Sequence, residues 1–69
     1  MNKTKAEKQI ERMWFLEHKM IRSTEEILKC CYVQNGWSIK EIALYFVQSY
    51  GTIQGLLKKY NIIKEVVLV

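Results

Sequence analysis

Three observations predict an all-α fold for this chain. Apolar residues recur at helical spacing in two consecutive segments, first Ile39, Ile42, Ala43 and Phe46, then Ile53, Leu56, Leu57 and Tyr60, each set at i, i+3, i+4 and i+7. A hydroxyl residue of the kind that caps a helix stands before each apolar segment, at Thr4, Ser23, Ser38 and Ser49. Proline is absent and glycine occurs only at Gly36, Gly51 and Gly55, so no flexible linker divides the 69 residues.

The first element opens with Thr4 and Glu7, spaced as a capping box. Ile10, Met13, Trp14, Met20 and Ile21 then continue an apolar stripe through a long N-terminal helix, widened by Phe15 and Leu16, over residues 1–22. Ser23, Thr24 and Glu26 form a second start signal. A helix from about Thr24 to Asn35 is expected to end at Gly36, a residue suited to the left-handed region, with Ile27, Leu28 and Cys31 on its core face.

Ser38 and Glu41 make another capping box, which starts the third helix. Ser49 caps the fourth, with Tyr50, Gly51 and Thr52 in its first turn. A connection of roughly three residues forces the fourth helix to turn sharply against the third, which is a helix-turn-helix geometry. Gly51 and Gly55 lie four apart on the side opposite Ile53, Leu56 and Leu57. Each costs roughly 1 kcal/mol relative to alanine in a helix interior, so helix propensity does not account for them. Bare backbone on an outward face lets another molecule approach closely.

Residues 25–63, EEILKCCYVQNGWSIKEIALYFVQSYGTIQGLLKKYNII, resemble the helix-turn-helix DNA-binding family of the homeodomain-like trihelical kind, found in small bacterial and phage regulators and in recombinases. The likeness rests on a first helix, a glycine turn, S-x-x-EIA, a short turn and S-x-GTI-x-x-LLKKY. It implies a trihelical helix-turn-helix unit over 23–60, with an additional N-terminal helix over 1–22 and a short extended tail over 61–69. Within that family Ala43 would be the small residue at the helix crossing, and Ile53 and Leu56 would anchor the recognition helix. Ser49, Tyr50, Gly51, Gln54 and Gly55 would face the major groove. The turn departs from the family pattern: Val47 and Gln48 stand where glycine and an aliphatic residue are usual. A β-branched residue fits positive φ poorly, so the turn geometry differs or the register slips by one.

Composition is consistent with a small regulator. A chain this short buries only about 60% of its unfolded surface, which makes a second copy or a partner an expectation. The formal net charge of +4 favours a polyanionic partner modestly. Trp14 and Phe15 carry two readings: a second subunit covers them, or the first helix folds back onto its own domain. The tail, Ile62 to Val69, is β-branched and aliphatic, which argues for an extended segment. It would pair with its counterpart in a dimer, lie across the helices, or be ragged.

Other function classes find little support. Cys30 and Cys31 are adjacent, so they do not suit an intrahelical disulfide, and with His18 as the only histidine they lack the spacing of a metal knuckle. They read as small buried hydrophobes in a reducing cytosol. Asp is absent, and no nucleophile–base arrangement or glycine-rich phosphate loop occurs. Glu25 and Glu26 suit the positive end of a helix better than proton transfer. Neither an enzyme nor a cofactor is expected. The polar start lacks a secretory core and the tail is too short for a bilayer, which places the protein in the cytoplasm with no membrane role.

The sites follow from these readings. For duplex DNA, Ser49, Thr52 and the amides at the helix start would hold a phosphate, Tyr50 and Gln54 would reach base edges, and Gly51 and Gly55 would permit close approach. Lys40, Lys58 and Lys59 would neutralise backbone charge. The expected function is sequence-specific DNA binding by a small transcriptional regulator, acting as a homodimer through Trp14, Phe15 or the 62–69 tail. The alternative is a protein-binding inhibitor or co-regulator using the same fold, favoured by a recognition helix without arginine.

Overall fold

The computed structural model describes residues 4–63, and among them all regular structure is helical. Helix α1 spans Lys5–His18 and α2 spans Thr24–Leu28, which runs directly into a π-helical segment, Lys29–Gln34. Helix α3 spans Ile39–Tyr45 and α4 spans Tyr50–Lys59. The four start signals act as the sequence predicts. Ser23, Ser38 and Ser49 accept from the backbone N–H of Glu26, Glu41 and Thr52, and full capping boxes form at Thr4 with Glu7 and at Ser38 with Glu41.

The helix ends are where sequence and structure part. Helix α1 does not run on through Met20 and Ile21. Lys19 adopts the left-handed region at φ 57° and donates its N–H to the Phe15 carbonyl at 2.7 Å, closing the helix after His18. Ile21 is consequently 90% exposed. The second helix reaches Gln34 and is followed by Gly36 at φ 70°, as expected, but its last turns widen: Asn35 N–H bonds to Cys30 O, five residues back.

Helices α3 and α4 end in the same motif. Gln48 N–H reaches Ala43 O at 2.8 Å and Val47 N–H reaches Leu44 O at 3.3 Å; Ile62 N–H reaches Leu57 O at 2.8 Å and Asn61 N–H reaches Lys58 O at 3.1 Å. Both pairs are Schellman closures, which need a left-handed residue just past the helix. Asn61 supplies it at φ 54° and suits it. Val47 supplies it at φ 55° and does not, so the turn keeps its register and the β-branched residue bears the strain.

The core joins every element: Ile10 from α1; Ile27, Leu28 and Cys31; Ile42, Ala43 and Phe46; Ile53, Leu56 and Leu57; and Ile62 after the last closure. Helix α1 packs on α2, and α3 packs on α4 and on the π-helical segment. Met13 and Trp14 lie against this core, so α1 folds back onto its own domain, while Phe15 and Leu16 remain exposed. Cys31 is buried and its thiol is pushed up to about 11 by burial and by the neighbouring Cys30 and Glu17. Cys30, expected to be buried beside it, is only half-buried. Of the expected extended tail, Ile62 is buried and Ile63 exposed; positions 64–69 lie outside the described residues. No helix among the described residues is long and apolar enough to cross a membrane.

Candidate nucleic-acid interface

Helix α4 has an amphipathic division that its sequence foretells. Ile53, Leu56 and Leu57 are buried, whereas Tyr50, Gly51, Gln54, Gly55 and Lys58 are exposed. A Cβ built on Gly51 or Gly55 meets no atom within 4 Å, so both stretches of backbone open directly outward. Tyr50, which could have turned inward, is 53% exposed. At the helix start the Ser49 hydroxyl accepts from Thr52 N–H at 3.2 Å and lies 2.7 Å from the Thr52 hydroxyl. The cap thus occupies one of the first-turn donors and leaves the amides of Tyr50 and Gly51 directed past the end of the helix.

Among the expected cationic residues, Lys40 on α3 and Lys58 on α4 are exposed and form no ion pair among the described residues. Glu41, next to Lys40, completes the expected capping box and accepts from Ser38 N–H at 3.2 Å. Lys59 departs from its expected role. Its ammonium lies 3.1 Å from the Glu7 carboxylate, and its charge is balanced within the fold. Glu25 and Glu26 pair with Lys29 and Arg22 rather than standing as free carboxylates.

Glu7 is fully buried and gathers Thr4 N–H at 3.1 Å, Lys59 and the Tyr60 hydroxyl. Burial raises its pKa, but the hydrogen bonds from Tyr60, Thr4 and Lys59, with the charge of Lys59, outweigh it and hold the carboxyl down at about 2. The same hydrogen bond, with burial and the charges of Glu7, Glu11 and Glu25, pushes the Tyr60 phenol up to about 12. This cluster fastens the end of α4 to the start of α1. Sequence reasoning assigned Glu7 to the cap alone, and nothing local links it to Tyr60, which lies 53 positions away.

A second link joins α1 to the turn between α3 and α4. The Gln9 amide donates to the Phe46 carbonyl at 3.2 Å, and the Gln48 amide approaches the same oxygen at 3.4 Å. The connection leading into α4 is therefore held by α1 and by its own closure. Among the described residues no three His, Cys or Glu side chains converge as a metal site. The chain has no significant match among protein-family models, curated proteins or solved structures.

Proposed function

We propose that the protein binds duplex DNA sequence-specifically through a helix-turn-helix formed by α3 and α4, within a trihelical unit to which α1 is added, and that it acts as a small cytoplasmic transcriptional regulator. One observation carries this reading. The outward side of α4 is unobstructed at Gly51 and Gly55, and both glycines are flanked by side chains suited to base edges, Tyr50 and Gln54. Gln54 can pair with adenine N6 and N7, while the Ser49–Thr52 end and Lys40 and Lys58 suit phosphates. A homodimer would set two such helices at half-sites roughly 34 Å apart. Phe15, rather than the half-buried Trp14, is free for that contact.

The test is a binding titration with a duplex pool over a salt series. Log affinity should fall with log salt at about −0.9 per phosphate contacted, and Gln54→Ala should relax the preference at one base pair by roughly 1–3 kcal/mol. A flat salt dependence would support the second reading, a protein-binding inhibitor or co-regulator. That reading is favoured by the exposure of Leu44 and Val47, 72% and 74%, beside the turn.

A further inference from the structure

Helix α1 carries a feature that its packing does not use. At about 100° per residue, Lys5, Lys8, Gln9, Arg12 and Leu16 share one outward face, and all five are exposed. None of the three glutamates of α1 lies within that face: Glu7 and Glu11 point inward to Tyr60, Lys59 and Thr24. Lys5, Lys8 and Arg12 take part in no ion pair among the described residues, whereas Arg22, Lys29 and Lys59 each have a carboxylate partner.

Two physical effects oppose this arrangement. Lys5 with Lys8 and Lys8 with Arg12 are like charges at i, i+3 and i, i+4, which repel on a helix. Lys5 and Lys8 also stand at the positive end of the helix dipole, where anionic side chains are favoured. Fold stability therefore gives no reason for the stripe, and a polyanion on its outer side does.

Its place in the fold selects the polyanion. Gln9, at the edge of the stripe, is bonded to Phe46 in the turn that leads into α4, so that edge lies beside the connection preceding the candidate interface. From Lys5 to Arg12 the helix rises about 10 Å, enough for three long side chains to meet successive phosphates of one strand. Building on the proposal that α4 reads DNA, we infer that Lys5, Lys8 and Arg12 form a second contact surface, gripping the duplex backbone beside the groove that α4 enters.

The experiment compares the full chain with Lys5→Gln/Lys8→Gln/Arg12→Gln on a random-sequence duplex over a salt series, with circular dichroism to monitor the fold. The triple variant should keep its helicity, lose roughly 2 to 3 from the log–log salt slope, and bind on the order of tenfold more weakly near 0.1 M salt. Arg12→Gln alone should reduce the slope, while Arg22→Gln, the same charge change at a paired residue, should not. If the wild type shows a salt slope that the triple variant retains, or if Arg12→Gln and Arg22→Gln lose equally, the α1 surface is refuted and the α4 reading stands. If the wild type shows no salt-dependent binding, both fail together.

Discussion

Helix α4 is fastened at one end and left open along its side, and the two regions follow different rules. At the C-terminal end, Glu7 of α1 is buried with Thr4, Lys59 and Tyr60 around it, and Asn61 closes the helix in a conformation that it adopts easily. Along the outward side stand Gly51 and Gly55 with open space around them, and the connection before them places Val47 at φ 55°. Polar groups in the first region are matched to their surroundings. Residues in the second forgo stability that common substitutions would supply. Such a contrast is expected where one region holds the domain together and the other is free to meet a ligand.

Three substitutions probe this contrast, beginning with the clamp. Glu7→Gln should lower stability by about 2 kcal/mol at neutral pH, since it removes a charged acceptor of several hydrogen bonds. The pH dependence has a definite sign. The carboxyl is held down at about 2 in the fold against 4.5 as its ordinary value, so its contribution is complete above about pH 4.5 and is lost as pH falls toward 2. Urea denaturation across that range should show a steep acid limb in the wild type and a flatter one in Glu7→Gln; parallel limbs would show that the clamp does not govern acid stability.

Val47→Gly addresses the turn. Relief of a β-branched residue from the left-handed region should outweigh the added freedom of the unfolded chain and raise stability by about 0.5–1 kcal/mol. A loss of stability on thermal denaturation would mean that the exposed Val47 side chain contributes contacts of its own. Gly55→Ala should change folding no more than Val47→Gly does, with a gain of about 0.5–1 kcal/mol, because the new methyl meets nothing. The same methyl should weaken duplex binding if backbone must approach closely there. A variant that is both more stable and equally tight in binding would assign Gly55 no part in recognition.

Much of the local structure was legible in the residues themselves. Thr4, Ser23, Ser38 and Ser49 announce helix starts because a cap is a contact between residues two or three apart. The buried side of α4 and the outward position of its glycines follow from spacing alone. Helix ends were less legible. Lys19 and Val47 are not residues that favour the left-handed region, and their conformations are imposed by the chain's need to turn there. Met20 and Ile21 match the periodicity of α1, but they lie past the turn, which leaves Ile21 almost fully exposed.

The amino-acid sequence by itself determined where helices begin, which side of each is apolar and that α4 presents open backbone, since each depends on neighbours within one or two turns. Tertiary structure alone decided that Lys59 serves Glu7 instead of standing free, that Gln9 steadies the turn before α4, and that three cations of α1 form no ion pair among the described residues. Those outcomes depend on which distant groups arrive within about 3 Å of one another, and hydrogen bonds at that range are set by packing rather than by order along the chain.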